Sequence, residues 1–332
     1  MLMIKKIAKN IAFPIIIGLG IEKLLSKKSK NNNLILCFHG VSNFKSDINK
    51  RHMSVNQFES LVIYLKNNFE IVSVREIFLN KKSNKKRIAI TFDDGYLNNY
   101  TVAWPILKKH NIPATLYITT ESFEINDYCL WPEIFDALKI KTPTEKIIFN
   151  DEEFKLANNT LINIKTNITI YDYVKAMGPE RQDAFDEFIA KYNIKQILKT
   201  LNPELVTFCN REQIKELSNS PLIEIGSHTH RHYNLSNINT ELVREELKQS
   251  KKILEDITEK TVLSIGYPDG DYSDSVKNIA EEVGYKYQLA VTFKNEYDKN
   301  DNRIRSRYSI SNSTSLNTNK ILINKQFNNS GF

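Results

Sequence analysis

Short apolar runs recur along the chain and alternate with stretches that have helical periodicity. Such runs are typical of strands buried on both faces of a parallel sheet, since a strand with one wet face would alternate apolar and polar residues. Strands that alternate with helices predict an α/β fold, and we expect the sheet to close, or nearly close, into a barrel. The predicted strands are Leu34–Phe38, Arg87–Phe92, Ala114–Ile118, Leu222–Gly226, Val262–Ile265, Tyr287–Val291 and Tyr308–Ile310.

Helix signals fall between these strands. Ser54 and Gln57 have the spacing of a capping box at the start of an amphipathic helix. Another helix, predicted from about Asp274, should end at Gly284, because glycine readily adopts the left-handed conformation of a C-terminal cap. Residues 121–208 break the alternation, so we predict an insertion there, on one rim of the barrel, that contacts substrate.

Polar residues directly follow five of the predicted strands. The carboxyl ends of parallel strands meet at one rim of a barrel, and the active sites of α/β barrels are built at that rim. These positions therefore mark the predicted functional site. They are His39, Asp93 with Asp94, Thr119, His228, and Tyr267 with Pro268.

Two of these strand ends together offer a metal site. Asp93 and Asp94 before a glycine are, taken alone, typical of a turn, and the pair His228 and His232 lacks the glutamate of a zincin helix. In combination, one carboxylate and two imidazoles suffice for a catalytic zinc with an open position. The second carboxylate can then act as a base on water. The sequence therefore predicts a metal-assisted hydrolase.

The formal net charge of +7 is concentrated near the N-terminus. Residues 1–33 contain seven lysines and one acidic residue, which leaves about +1 for the rest of the chain. A basic tail is weak support for a nucleic-acid surface, so we expect no nucleic-acid partner. The three cysteines, Cys37, Cys129 and Cys209, are too widely spaced for a disulfide framework or a cysteine-rich zinc site. Cys37 is expected to be a buried free thiol.

Residues 11–21 form an apolar run with lysines on both sides, and the run is too short to span a bilayer. It suits the apolar region of a signal peptide, but no small-x-small cleavage site follows it. An uncleaved anchor, or a helix lying on an anionic membrane face, fits at least as well. The alternative is a frayed leader or a helix packed on the domain. We expect residues 1–33 to be a membrane-associating leader, and we favour a membrane-associated or cell-envelope location over a cytoplasmic one.

Three motifs carry a resemblance to a known family. The sequences TFDDG at Thr91–Gly95, HTHRH at His228–His232 and YPDG at Tyr267–Gly270 resemble the hallmarks of the polysaccharide deacetylases with a NodB-type domain, carbohydrate esterase family 4. The resemblance covers residues 34–310. It implies a deacetylase domain over residues 34–332, folded as a distorted, incomplete (β/α)7 barrel of the TIM type with the insertion described above.

The resemblance also implies the roles of individual residues. Asp94, His228 and His232 match the ligands of one divalent metal, expected to be zinc, and Asp93 matches the base that activates water. The backbone amide around Pro268 and Asp269 matches the donor that stabilises the tetrahedral oxyanion.

Two features of the chain depart from the family pattern. Many relatives carry an arginine two residues before the proline of the third motif, where it steadies the base, but this position is Gly266 here. Arg307 could supply that charge from the last strand, or it could be a surface arginine. Relatives also often have a late histidine that protonates the leaving amine, and no histidine follows His232.

His39 is the natural replacement for that late histidine. Its setting after the first strand resembles the early Tyr-His motif of poly-β-1,6-N-acetylglucosamine deacetylases, which look circularly permuted. We predict that His39 is the general acid and rank this above a structural role. His230 has the wrong spacing for the principal second ligand, and His52 and His110 are expected at the surface.

The resemblance implies a hydrolase that removes N-acetyl groups from N-acetylhexosamine units of a polysaccharide or oligosaccharide. Tyr96, Trp131 and Tyr267 are expected to line the sugar site, and Trp104 to belong to the core. Two alternatives remain: a catalytically weak or inactive relative that binds glycan, and a metal amidase that acts on a non-sugar amide.

Overall fold

The structure is a computed structural model that describes residues 12–27, 32–44, 48–79, 83–141, 146–157, 160–310 and 314–328. The strands, in chain order, are β1 (Asn33–Phe38), β2 (Val41–Ser42), β3 (Met53–Ser54), β4 (Glu70–Ile71), β5 (Arg87–Phe92), β6 (Ala114–Ile118), β7 (Lys146–Phe149), β8 (Glu152–Ala157), β9 (Thr160–Asn163), β10 (Ile223–Ser227), β11 (Ser264–Gly266), β12 (Tyr287–Ala290), β13 (Ile304–Ser306) and β14 (Tyr308–Ser309). The largest sheet has nine of them, all paired in parallel, in the order β13-β12-β11-β10-β6-β5-β1-β14, with β4 also paired to β5.

Helices lie between these strands, as the alternation in the sequence predicts. Residues 12–18 are helical as well. The other α-helices are Leu24–Lys27, Val55–Asn68, Val74–Phe78, Trp104–His110, Trp131–Lys141, Ile170–Ala176, Arg181–Lys191, Ile194–Lys199, Pro203–Val206, Arg211–Asn219, Thr240–Thr258, Asp274–Val283 and Leu316–Gln326.

The barrel is nearly closed by residues 304–309. β13 pairs with β12 and β14 pairs with β1, and only Arg307 separates these two short strands. If residues 304–309 are counted as one interrupted strand, the ring has seven members, in agreement with the expected (β/α)7 barrel. The interruption leaves Arg307 between its two strand partners, with its side chain buried.

Most predicted elements are present with small shifts of their ends. β5 and β6 have the predicted bounds, and each of the other five predicted strands differs at its ends by one or two residues. The helix Val55–Asn68 begins after Ser54 as predicted, but the Ser54 side chain makes no capping hydrogen bond, so the predicted capping box is wrong. Gly284 ends the helix Asp274–Val283 with a φ of 105°, as predicted.

The insertion forms a layer with its own hydrophobic core. β7, β8 and β9 pair in an antiparallel sheet, and the helices around them bury a cluster of aromatic rings. The Phe185 ring lies 5.8 Å from that of Phe135 and 5.0 Å from that of Phe149. Offset and edge contacts of this kind fix the orientation of the rings that make them. The insertion is therefore a packed subdomain and not a loose loop.

The N-terminal segment lies against the barrel domain. Glu22 is 1% exposed and accepts a hydrogen bond of 3.2 Å from the Tyr64 hydroxyl. For the part of residues 1–33 that the structure describes, the alternative of a segment packed on the domain is thus what is seen; residues 1–11 and 28–31 lie outside the described residues. Among the described helices, none combines the length and the apolar character that crossing a bilayer requires.

Candidate active site

Three side chains from two strand ends converge at the carboxyl rim of the barrel. Asp94 Oδ1 lies 3.5 Å from Nε2 of His228 and 3.4 Å from Nε2 of His232. The three residues are 1%, 2% and 5% exposed, and their ligand atoms all lie within 4.8 Å of one another. Two ligands bound tetrahedrally to one zinc ion at about 2.0–2.1 Å would be roughly 3.4 Å apart. The structure brings together the three residues that the sequence predicts as ligands.

The parallel ladders of the sheet produce this convergence. Phe38 at the end of β1 lies opposite Phe92 at the end of β5, and its carbonyl accepts a 2.9 Å hydrogen bond from the Asp93 N–H. In the same way, the carbonyl of Ile118 at the end of β6 accepts one of 2.9 Å from the His228 N–H. Both motifs are therefore fixed at one level of the barrel.

The backbone around the ligands adopts conformations that residues other than glycine rarely take. Asp94 has a φ of 74°, Thr229 of 65° and His232 of 55°, all in the left-handed region. Such residues persist only where the surroundings hold them, and they cluster at functional sites. Gly95, with a φ of 88°, completes the turn without the steric cost that a side chain would bring.

The donor set fits a divalent cation. Nδ1 of His228 lies 2.6 Å from the Gly266 carbonyl oxygen, which can only accept, so Nδ1 carries the proton and Nε2 is free to bind a metal. Both carboxylate oxygens of Asp94 are buried, and neither accepts a hydrogen bond from the described part of the chain; the Arg51 guanidinium approaches only Oδ2, at 3.4 Å. A buried carboxylate oxygen without a hydrogen bond is costly, and a metal ion bound at Oδ1 would remove that cost.

Asp93 lies beside this group and is paired with Arg307. Nη1 and Nη2 of Arg307 donate to the two carboxylate oxygens of Asp93 at 2.6 and 2.8 Å, a bidentate pair. Burial alone would raise the pKa of Asp93, but the Arg307 cation outweighs it and holds the pKa below the usual value. Arg307 is 1% exposed, so the alternative of a surface arginine is wrong.

Gly266 leaves the space that this arginine uses. A Cβ atom at position 266 would lie 3.3 Å from Nη1 of Arg307 and 3.2 Å from the Tyr117 ring. The Arg307 guanidinium also lies over that ring, at 5.4 Å from its centre. Arg307 therefore occupies, next to Asp93, the space into which a side chain at position 266 would project.

A buried thiol also contacts Asp93. The Cys37 Sγ donates to Oδ2 of Asp93 at 3.3 Å, and Cys37 is a free cysteine, 2% exposed, as expected. Burial raises the pKa of this thiol far above its usual value, and the nearby carboxylate adds to that effect. Cys37 therefore remains a neutral hydrogen-bond donor to the carboxylate.

His39 follows β1 at the same rim and is partly exposed, in contrast to the buried ligands. Burial of its ring and the nearby Arg51 cation lower its pKa to about 4, although Asp94 and Asp93 act in the opposite direction. His39 is therefore neutral near pH 7. Its place after β1, at the rim that carries both aspartates, agrees with the predicted role, and the role itself stays a prediction.

Sequence reasoning missed a second charged group at the site. Arg51 Nη1 lies 3.4 Å from Oδ2 of Asp94, while Nη2 donates to Oε1 of Glu133 at 3.0 Å and to the Tyr96 hydroxyl at 2.8 Å. Burial opposes a charged Asp94, but the Arg51 cation first and the neighbouring His232 imidazole next hold its pKa well below the usual range. Glu133 belongs to the insertion, so only the tertiary structure could reveal this group.

Two further histidines, His52 and His230, are buried near the site without belonging to the metal group. His52 is 4% exposed, with its ring 4.5 Å from the Tyr96 ring and Nδ1 at 3.0 Å from the Asn98 amide, so its predicted surface position is wrong. His230 is buried as well, but its two ring nitrogens contact Thr120 and Gln249, each at 2.9 Å. His230 is thus not part of the metal group, as its spacing predicts.

Two of the aromatic residues predicted to line the sugar site are fully buried. Tyr267 is fully buried, its hydroxyl donates to Gln288 at 2.8 Å and its ring stacks on Tyr272, so that ring cannot line a substrate site. Tyr96 is also fully buried, and its hydroxyl donates to Glu133. Tyr96 is linked to the site through the hydrogen bond that its hydroxyl accepts from Arg51.

Trp131 packs in the core of the insertion and lines a cavity of about 390 Å³, together with Arg181 and with Arg231 of the second motif. Trp104 packs against the barrel core, as expected.

Of the two residues predicted at the oxyanion donor, Pro268 has no N–H group, so only Asp269 could donate from its backbone, and that role stays a prediction. Asp269 has a φ of 58°, and its side chain pairs with Lys175 of the insertion at 3.0 Å. The third motif is therefore held by the insertion.

Residues 80–288 match the family model described as polysaccharide deacetylase, and the chain belongs to that family. Members of the family are hydrolases that act on carbon–nitrogen bonds and depend on a metal ion.

Several individual proteins are similar to this chain. YxkH of Bacillus subtilis (strain 168), named as a polysaccharide deacetylase, is 23% identical over 263 residues, which are 78% of this chain and 63% of that protein. The poly-beta-1,6-N-acetyl-D-glucosamine N-deacetylase of Staphylococcus aureus (strain MSSA476) is 34% identical over 110 residues, 28% of this chain and 38% of that protein. The chain thus spans less than two thirds of the length of these relatives.

The structure of IcaB from Ammonifex degensii shares the fold, with a TM-score of 0.55, 16% identity and coverage of 90% of this chain and 98% of that one.

Proposed function

We propose that the chain is a zinc-dependent N-deacetylase that removes acetyl groups from N-acetylhexosamine units of a glycan. The observation that carries this proposal is the buried group Asp94, His228 and His232 beside the Asp93–Arg307 pair. The group offers metal ligands and, in contact with them, a carboxylate kept ionised for proton transfer. Family membership favours acyl transfer from an amide over other metal-assisted hydrolysis.

When bound, the divalent ion would supply Lewis-acid chemistry by polarising the amide carbonyl and easing the deprotonation of water. Asp93 accepts the proton of the attacking water, and Arg307 keeps Asp93 charged and oriented. The Asp269 N–H stabilises the oxyanion that develops as the water oxygen bonds to the carbonyl carbon. The proton that Asp93 has taken from water passes to His39, which is neutral at rest, and His39 gives it to the leaving nitrogen as the carbon–nitrogen bond breaks.

The name of the S. aureus relative supports a substrate class. That protein is a deacetylase of poly-beta-1,6-N-acetyl-D-glucosamine, and the 110 matched residues are 34% identical to those of this chain. The predicted acid His39 follows the first strand, as in the motif that the sequence resembles. We therefore propose β-1,6-linked N-acetylglucosamine oligomers as the first substrate to test.

The test uses the purified full chain, stripped of metal with a chelator and reloaded with one divalent ion at a time. Acetate release from the oligomers should disappear on stripping and return with zinc, cobalt or another fitting ion. Release that persists after complete metal removal would contradict the proposal. Tight oligomer binding without acetate release under any metal would favour the glycan-binding alternative, and release only from small non-sugar amides would favour the amidase.

We also propose that the N-terminal segment rests on an anionic membrane surface. Its polar side chain Glu22 faces the domain, whereas Ile15, Leu19 and Leu24 are 57%, 70% and 53% exposed. An apolar surface on a lysine-rich segment is typical of a helix at a membrane interface.

A further inference from the structure

The loop His228–His232 carries two of the three proposed metal ligands, and a buried acid holds one side of its backbone. Oε2 of Glu246, on the helix Thr240–Thr258, accepts hydrogen bonds from the N–H groups of His230 at 3.0 Å and Arg231 at 2.7 Å. Glu246 is fully buried. Its carboxylate therefore fixes the N–H groups in the middle of the loop.

An arginine of the insertion holds the other side of the same loop. Nη2 of Arg181 donates to the carbonyl oxygens of Arg231 and His232, both at 2.8 Å. Its guanidinium lies 4.5 Å from the centre of the Tyr233 ring. Arg181 is 5% exposed, and no carboxylate of the described residues lies within 4.0 Å of it. The hydrogen bonds of this buried cation are therefore directed to the loop and not to a counter-ion.

The loop needs such support because its backbone is unusual. Thr229 and His232 have φ values of 65° and 55°, and left-handed residues other than glycine persist only where their surroundings determine them. Within the loop, the Thr229 hydroxyl accepts a 3.1 Å hydrogen bond from the His232 N–H. The His232 carbonyl, bound by Arg181, belongs to the residue whose Nε2 lies 3.4 Å from Asp94.

The insertion core gives Arg181 a fixed position. Arg181 is the first residue of the helix Arg181–Lys191, whose buried residues Phe185 and Phe188 lie 5.8 and 5.5 Å from the Phe135 ring. A side chain at the start of a helix anchored in this way has few alternative positions. The placement of the insertion is thus transmitted to the loop through two hydrogen bonds.

We propose that Arg181 is a positioning residue for the metal site: it holds the carbonyls of Arg231 and His232 so that His232 meets Asp94 and His228. The inserted subdomain then completes the active site and is more than a decoration of its rim. This inference rests on the proposed function for the identity of the ligands, and it adds a residue that no motif of the sequence identifies.

The test compares Arg181→Met and Arg181→Lys with the full wild-type chain. Loss of outer-layer hydrogen bonds at metal sites typically weakens metal binding by about 10–100-fold, so we expect the zinc dissociation constant of Arg181→Met to rise by that factor. The visible absorption spectrum of the cobalt-loaded variant should change, because one imidazole is no longer held in place. Arg181→Lys can still reach one carbonyl and should recover part of the affinity.

Lys139→Met is the matched control, because it removes another cation of the insertion, one that pairs with Asp136 at 2.8 Å and lies over the Tyr171 ring, and that contacts neither the loop nor the helix of Arg181. It should leave the zinc dissociation constant and the cobalt spectrum unchanged. Wild-type affinity and spectrum in Arg181→Met would overturn the proposal, as would an equal loss of zinc affinity in Lys139→Met.

Zinc competition with a chelator requires no substrate, so this result is separate from the deacetylase assay. A wild-type chain that binds zinc but releases no acetate would refute the proposed function and leave Arg181 in its role. A wild-type chain that binds no divalent ion would overturn both.

Discussion

Arg307 and Asp93 face each other through two hydrogen bonds, of 2.6 and 2.8 Å, although 214 positions separate them in the chain. Arg307 also separates the two short strands that bring the barrel near to closure. The residue that orients the proposed base is therefore fixed by the closure of the barrel. Any change that loosens residues 304–309 should therefore disturb the orientation of Asp93.

Asp93→Asn tests the base and the ion pair together. Asparagine keeps the shape but accepts no proton, so turnover should fall by about 10²–10⁴-fold. Bound zinc, measured by elemental analysis, should stay at the wild-type level because the ligand set is intact. Urea unfolding should show a loss of about 3 kcal/mol, since Arg307 is left buried without its counter-charge. Normal turnover in this variant would remove Asp93 from the role of base.

Gly266 and Arg307 should behave as one unit in a double-mutant cycle. Arg307→Met leaves Asp93 unpaired, and Gly266→Arg crowds Nη1 of Arg307, which would lie 3.3 Å from the new Cβ. In the double variant the new arginine can occupy the space that Arg307 has left. We expect a favourable interaction of about 1–3 kcal/mol in stability, together with activity above that of either single variant. If the stability losses of the two single variants simply add up in the double variant, the two positions do not share a role.

The sequence predicted the parts of the site that depend on local pattern. Asp93, Asp94 and His228 directly follow apolar strands, and parallel pairing alone brings such strand ends together. The strand Ile304–Ser306 was missed because arginines interrupt its apolar pattern, and in the fold these arginines are partly or fully buried.

Arg51, Glu133 and Arg181 could not be predicted in the same way. None of them follows a barrel strand, and two belong to the insertion, whose path over the rim is a property of the tertiary structure. Their charged side chains form hydrogen bonds with backbone and side-chain groups of segments that are distant in the sequence. No local pattern in a single sequence encodes such a contact.

His39→Gln should affect substrates according to their leaving group. An amine leaves only after it is protonated, so turnover of an N-acetylated oligosaccharide should fall by about 10²-fold or more. A nitrophenyl acetate ester needs no proton on its leaving group, and its hydrolysis should be almost unchanged. His110→Gln is the control, since that histidine contacts Glu59 far from the site and should leave both rates unchanged. Equal loss on both substrates would assign His39 a structural role and not that of the acid.

The exposed apolar residues of the N-terminal segment should decide membrane binding. Burial of one leucine contributes about 1.5–3 kcal/mol, so Leu19→Glu with Leu24→Glu should weaken binding of the full chain to vesicles of phosphatidylglycerol by at least about tenfold. Ile148→Glu is a matched control, because Ile148 is 46% exposed but lies in β7 of the insertion. Binding, measured by co-sedimentation, should be weaker on phosphatidylcholine and at high salt, since lysines supply part of the attraction. Equal binding to both lipids, or an equal loss in the control, would contradict a membrane contact at this segment.

The same surface could instead be a contact between two copies of the chain. In that case the wild type would form dimers in light scattering without binding any vesicles, and the double substitution would dissociate them.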